Sequence, residues 1–167
     1  LLTYSIGKSD NVGLEEELQS LRDYIRIQNV RYGDAFRYAE HIDPALRHTS
    51  VPKLILQPLV ENAIFHGLAG KGFGNIAVSA RTAEGKMLLS VADDGEGMTE
   101  EQIAAATAPS VAAYAGSARG GDAGRFKGIG LSNVQERIML NCGPEYGLRI
   151  RSEPGGGTEV TVVLPMP

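Results

Sequence analysis

Three groups of residues in this 167-residue chain have types and spacings that could do chemistry. Glu61, Asn62 and His66 lie in the run VPKLILQPLVENAIFHG, residues 51–67. On a helix Asn62 and His66 share a face, because they are four residues apart, and with Glu61 they bring polar groups onto an otherwise apolar segment. Each alone could equally be a satisfied half-buried residue, since Asn and His often bridge within a core. The second group is Asp93-Asp94-Gly95-Glu96-Gly97. Here a carboxylate ends an apolar run, and two glycines let the backbone turn tightly or approach a bound group. The acidic spacing and the terminal Glu of a calcium-binding EF-hand loop are missing. The third is Lys127-Gly128-Ile129-Gly130-Leu131, with Arg125 just before it. A glycine pair opening into a helix offers free backbone N–H groups at the positive end of the helix dipole, and with nearby cations these suit a phosphate. It is neither a Walker A loop, which needs GxxxxGK[ST], nor a dinucleotide fingerprint, because Asn133 stands where the third glycine belongs.

The elements that must position these groups can be read from periodicity. Leu14, Leu18, Leu21 and Ile25 form one helical stripe from Leu14 to about Arg31, with Glu15, Glu16 and Glu17 at its positive end. Two readings stay open for this helix: packing on its own domain, or continuing an upstream dimer stalk. The pattern predicts strands over Phe36–Ile42, Asn75–Arg81, Lys86–Asp93, Leu148–Ser152 and Thr158–Leu164, the last four as two hairpins. A second helix is expected from Val51 to Gly67, with Ser50 as N-cap, Gly67 at its C-terminal cap and Pro58 bending its interior. A short helical turn is expected near Thr99–Ala106, and a third full helix over Gly130–Asn141. Residues 98–127 are rich in Ala, Gly and Ser and read as a lid.

Helices alternating with antiparallel hairpins point to an α+β fold: a two-layer sandwich of a mixed, mostly antiparallel sheet with helices on one face, plus an N-terminal helix. Composition agrees, with 43% hydrophobic and 22% charged residues. A net charge of −4 with no run of Lys or Arg excludes a general nucleic-acid binder. Cys142 is the only cysteine, so no intramolecular disulfide can form, and a reducing, cytoplasmic setting is expected. No stretch approaches the roughly 20 apolar residues of a membrane span. The opening Leu1-Leu2-Thr3-Tyr4 has neither a Met nor a charged signal region and reads as a cut site, leaving membrane attachment to absent upstream segments.

The order of the clusters resembles the N, G1 and G2 boxes of the GHKL ATP-binding superfamily: a helix with Asn, a strand-end DxGxG, a long segment, then GxGL. Within it, PKLILQPLVENAIFHG, preceded by VGLEEELQSLRDYIRIQNVRYGDAF and followed by GIGLSNVQERI, is similar to LytS/YehU-type sensor histidine kinases.

The resemblance implies the GHKL (Bergerat) fold, with residues 34–167 as the ATP-binding catalytic domain and residues 1–33 as the end of a dimerisation and phosphoacceptor region. It implies that Asp93 accepts from the adenine amino group, that Gly95 and Gly97 let the base settle, and that Thr158 helps hold it through water. Asn62 would ligate Mg²⁺, Gly128, Gly130 and Leu131 would cradle the phosphates with Lys127 as a charge partner, and Glu61 and His66 would orient phosphate or metal. Superfamily ATPases carry a Glu one helical turn before the Asn, where this chain has Pro58, so transfer to a supplied acceptor fits better than hydrolysis. A GHKL ATPase or a non-catalytic nucleotide-sensing module remains as the alternative. The family's acceptor histidine belongs to a PHFLFN-like motif that is absent; His41, His48 and His66 do not fit it, so this chain is expected to hold no phosphoacceptor. A homodimeric full-length protein and a response-regulator partner complete what the family implies.

Overall fold

The computed structural model describes residues 10–108 and 129–166. In chain order the elements are β1 (Asn11–Gly13), α1 (Leu14–Tyr32), β2 (Phe36–Ile42), a 3-10 turn (Pro44–Leu46), β3 (Ser50–Pro52), α2 (Gln57–Asn62) and a π-turn (Ala63–Gly67). They continue with β4 (Gly74–Ala83), β5 (Lys86–Asp93), α3 (Glu100–Thr107), α4 (Ile129–Cys142), β6 (Gly147–Ser152) and β7 (Thr158–Pro165).

Five strands form one sheet in the order β2-β4-β5-β7-β6. β2 and β4 pair in parallel and every other neighbour is antiparallel, which bears out the mixed, mostly antiparallel expectation. The alternation of strand side chains sets two faces. Ile42, Ala80, Leu89, Val162 and Leu148 form one cross-strand row, and Val78, Val91, Val160 and Ile150 continue the next. These rows meet the helices in a single apolar core with Leu14, Leu18, Leu21, Leu59, Leu131 and Ile138. On the other face the Ser90 and Thr161 hydroxyls bond each other across β5 and β7 at 2.8 Å. The β4–β5 connection is a two-residue turn with both Glu84 and Gly85 at positive φ (53° and 73°), the twist that suits a tight hairpin.

Helix α1 packs on its own domain: its leucine stripe lies in the shared core. Gly33 ends it in the left-handed conformation, and the Asn29 side chain then ties the exit to Phe36, donating to its carbonyl and accepting from its N–H. Arg22 clamps the helix to β2 through Glu40 at 2.7 Å and also reaches Glu15, which takes Arg47 on its other oxygen.

The second helix differs from expectation. Residues 50–52 form β3, paired antiparallel with β1, and the helix begins only at Gln57. Pro58 therefore lies in the first turn, where its missing N–H has no intrahelical partner to lose and its fixed φ suits the start. It does not bend an interior. The helix passes at Ala63 into a π-turn closed by the Leu68 N–H on the Ala63 carbonyl at 3.0 Å. Gly67 is not a left-handed cap, as its φ is not positive. The short helix near Thr99 is present as α3, capped by a reciprocal pair in which Gln102 N–H donates to Thr99 and Thr99 N–H to Gln102. Most of the expected lid lies outside the described residues.

Pro58→Ala distinguishes a first-turn proline from an interior one. We expect its unfolding free energy, from urea melts, to change by less than about 1 kcal/mol, whereas relieving a proline in a helix interior would stabilise by about 3 kcal/mol.

Candidate functional site

The site lies where the C-terminal end of β5 meets the π-turn and the β6–β7 hairpin. On the core face the last sheet row runs Tyr38, Ile76, Asp93, Thr158, Ser152. The row is apolar at one edge and polar at the other. Asp93 and Thr158 are register partners on adjacent strands, so two of the sequence-derived site residues are brought side by side.

Asp93 is fixed by close backbone. The Gly95 N–H donates to its Oδ1 at 2.9 Å. A Cβ on Gly67 would come within 2.4 Å of the same oxygen, so any side chain there would have to displace the carboxylate. Burial pushes the Asp93 carboxyl up to about 6, against the pull of the Gly95 and Thr158 N–H groups. Its neighbour Asp94 has a structural part: it accepts from the Asn75 N–H and side-chain amide at 2.8 and 2.7 Å, bonds that hold its carboxyl below the usual range.

The glycines of the loop are explained by protein contacts. A Cβ on Gly95 would meet the Gly67 carbonyl at 1.8 Å, and one on Gly97, itself at φ 74°, would meet the Glu153 carbonyl at the same distance. Main-chain bonds from Glu96 N–H to Gly67 O (2.7 Å) and Gly155 N–H to Glu96 O (2.6 Å) lace this loop to the π-turn on one side and the terminal hairpin on the other. The glycines let three chain segments come together around Asp93.

Asn62 ends α2 and is 7% exposed, yet its Oδ1 has no hydrogen-bond partner. A buried oxygen left unpaired costs stability; Gln28 Oε1 and Tyr38 Oη share that state, and of the three only Asn62 belongs to a polar cluster singled out in the sequence. Glu61, one residue earlier, is half-buried and accepts from Gln57 Nε2 at 3.1 Å. His66 falls in the π-turn, half-buried, on the segment that leads to Gly67. Thus α2 and its π-turn join the first cluster directly to Asp93.

Of the third cluster, Lys127 and Gly128 lie outside the described residues. Gly130 is in the first turn of α4, and a Cβ there would stand 3.7 Å from the Pro58 Cβ, an ordinary contact. The start of α4 therefore packs beside the start of α2. Among the described residues, packing does not require glycine at Gly130. Leu131 is 1% exposed, so its side chain serves the core.

Ser152 was not legible as a site residue from the sequence, where a serine at a strand end has no distinguishing neighbours. Its hydroxyl accepts the Met98 N–H at 2.7 Å, donates to the Gly157 carbonyl at 2.9 Å and lies 2.7 Å from Thr158 Oγ1. The hairpin register, Ser152 opposite Thr158, is the signal that would have found it.

The chain belongs to the histidine kinase-, DNA gyrase B- and HSP90-like ATPase family, whose model matches residues 49–167. The family implies an ATP site. The chain is 37% identical over 161 residues to the sensor histidine kinase YesM of Bacillus subtilis, covering 95% of this chain and 24% of that protein. It is 29% identical to the sensor protein kinase HptS of Staphylococcus aureus, covering 99% of this chain and 30% of the other. It thus spans less than a third of either relative. The fold is that of the histidine kinase domain of the Erythrobacter litoralis EL346 blue-light-activated kinase (TM-score 0.55, 17% identity, 92% of this chain and 61% of that one). The Acinetobacter baumannii histidine kinase AdeS shares it too (TM-score 0.61, 13% identity, 93% and 66% covered).

Asp93 gives a pH test. Its carboxyl is raised in the folded state from an ordinary 3.8 to about 6, so the proton is bound more tightly in the fold than in the open chain. The associated stability is complete below about pH 4 and is lost as pH rises through 6. An amide at this position loses no proton. In the absence of nucleotide, Asp93→Asn should therefore gain stability relative to wild type between pH 4 and 7, by about 3 kcal/mol at most, with no difference in trend below pH 4. Thermal melts across pH measure it; a gap independent of pH would remove burial of the charge as the cause.

Proposed function

We propose that this chain is the ATP-binding catalytic domain of a two-component sensor histidine kinase, which presents the γ-phosphoryl group of ATP to a histidine outside this sequence for relay to a response regulator. The unpartnered Asn62 Oδ1 carries this reading. A buried oxygen at the end of a helix that packs against the start of α4 is the donor a small hard cation lacks when its remaining ligands are phosphate oxygens and water. Among the described residues no three His, Cys, Asp or Glu are grouped to hold a metal by themselves, so a cation here would depend on the nucleotide for its other ligands. Mg²⁺, once bound, neutralises charge on the phosphates.

On this reading each candidate site residue has a part. The Asp93 carboxylate accepts from the amino group of the base, in a site shaped by Gly67, Gly95 and Gly97. Thr158 lies beside it. Gly130, with Gly128 and Lys127, leaves room and positive potential for phosphates at the opening of α4. Glu61 and His66 orient the phosphate or metal from the π-turn side. The enzyme works by placement and charge stabilisation, because phosphoryl transfer asks little covalent chemistry of the protein.

Hydrolysis is the weaker reading. The position one turn before Asn62 is Pro58, which cannot activate water and which abuts Gly130. Homodimerisation of the full protein, membrane attachment through upstream segments and a cytoplasmic setting follow from the kinase reading; no described helix is long and apolar enough to cross a membrane.

Titration calorimetry with ATP and Mg²⁺ tests the proposal. Wild type should bind; Asp93→Asn should lose at least about 100-fold in affinity, the cost of unpairing a buried polar contact in full. Asn62→Ala should bind with the same affinity whether or not Mg²⁺ is present. A folded wild type that binds no nucleotide would overturn the reading.

A further inference from the structure

The arginines among the described residues divide by the side of the sheet on which they lie. Those on the helical side are engaged: Arg22, Arg26 and Arg47 form ion pairs, Arg137 donates to the Lys53 carbonyl, and Arg31 lies over the Tyr32 ring. Arg37, Arg81, Arg149 and Arg151 are exposed, and none has an ion pair or side-chain hydrogen bond among the described residues. Alternation along the strands puts all four on the face away from the helices, since Tyr38, Ala80, Leu148 and Ile150 beside them turn into the core. Lys86, on the same face at the start of β5, lies over the Tyr146 ring. Within the five strands, Glu159 is the one acid on this face among the described residues. In a chain of net charge −4 this is a concentration of positive charge.

The charges sit on two margins. Arg37 and Arg81 come from β2 and β4 at one side of the sheet, Arg149 and Arg151 from β6 at the other. Between them Ala77 faces Ala92 and Ser79 faces Ser90, whose hydroxyl is already satisfied by Thr161. The centre is flat and has little left to hydrogen-bond. With strands about 4.8 Å apart, the margins are separated by about 14–19 Å, and a helix with its side chains is about 10–12 Å across. A helix lying on the small residues would therefore have arginines along each flank. A guanidinium matches a carboxylate in a planar fork, which a lysine cannot do. Among the described residues no exposed large apolar side chain lies on these strands, so the face has nothing to insert into a bilayer.

We propose that the open face of the sheet is a docking surface for an acidic helical segment of another protein, held by Arg37 and Arg81 along one flank and by Arg149 and Arg151 along the other. The docked helix adds a third layer to a two-layer fold. Five strands of about six residues give a face of roughly 400 Å², well below the ~800 Å² per partner of a stable complex, so the contact is transient and carried by charge. Asp93 turns to the core face with Tyr38 and Ile76, so a segment docked on the open face leaves the nucleotide site uncovered. The inference stands independently of what that site binds.

The probe is a synthetic alanine-based helix of about 20 residues with glutamates at i, i+4 spacing, titrated with the full chain by fluorescence anisotropy. Wild type should bind it, at least about tenfold more weakly at ~0.15 M salt than at ~0.01 M, as the screening length falls from about 30 to about 8 Å. Arg149→Gln/Arg151→Gln and Arg37→Gln/Arg81→Gln should each lose about tenfold in affinity, the worth of two exposed ion pairs, and should melt with wild type. Arg26→Gln/Lys53→Gln removes the same two charges from the helical side and should stay within about twofold of wild type. A loss there equal to the others would make net charge the cause and overturn the proposal, as would a loss confined to one margin. Tighter binding to phosphatidylglycerol vesicles or to duplex DNA than to the acidic helix would also overturn it, in favour of a membrane or a nucleic acid. So would no binding by folded wild type at low salt. Should a variant fail to fold, the probe itself decides: the same helix with lysine in place of glutamate should not bind wild type, and equal binding of both helices overturns the docking surface.

Discussion

The contact on which this end of the molecule depends is that of Gly67 with the Asp93 carboxylate. No side chain fits between them while the carboxylate keeps its place: a Cβ on Gly67 would stand 2.4 Å from Oδ1. Removing that one methyl group's worth of space brings the end of the helical layer onto the end of β5. The Gly67 carbonyl then reaches the Glu96 N–H, and Gly95 has to lack a side chain in turn. The terminal hairpin closes from the other side, where Gly157 at φ 79° passes so near the Asp93 carbonyl that a Cβ would lie 2.2 Å from it. A carboxylate is thereby held half-buried with little to offset its lost hydration, which is why its proton is bound more tightly than in the open chain. Asn62 shows the same economy, with a buried oxygen left unpaired. Stability given up at specific atoms is characteristic of sites built for a ligand.

The sequence made much of this legible. Leu14, Leu18, Leu21 and Ile25 announced α1 through spacing alone, and alternation placed β2 and β5 at the bounds the structure has. These signals are local: each depends on which residues recur along one element. The order of the three clusters then led to the family and to Asp93 and Asn62. What was not legible depends on contacts between distant segments. The pairing of β1 with β3 joins residues about 40 positions apart, so Val51 and Pro52 looked like the first turn of a helix when they form a strand. Pro58 was placed in a helix interior for the same reason, since moving the start to Gln57 changes the meaning of the proline without changing a residue.

Gly67, Gly95 and Gly97 illustrate the limit more sharply. A glycine in a sequence says only that a side chain is absent. Whether the space goes to a ligand, to a positive φ or to another stretch of backbone depends on the fold, and here much of it goes to backbone. Ser152 was invisible for the complementary reason, as a common residue at a strand end whose three partners come from the Asp93 loop and the hairpin turn. Residues that position others leave weaker traces in a single sequence than residues that touch a ligand.

The pairing of β1 with β3 has a mechanical side. The Lys53 N–H bonds the Asp10 carbonyl at 2.7 Å, and the ladder continues from Asn11 opposite Pro52 to Gly13 opposite Ser50. Tension applied to the chain at Asp10 is thus divided. Part travels along the covalent chain into the first turn of α1, and part crosses the ladder to Lys53, just ahead of the helix that ends in Asn62. The carbonyl of Lys53 is itself held by the Arg137 guanidinium of α4. A load entering at one residue is therefore shared among three helices, two of which meet at Pro58 and Gly130, so the small ladder works as a load-splitting joint.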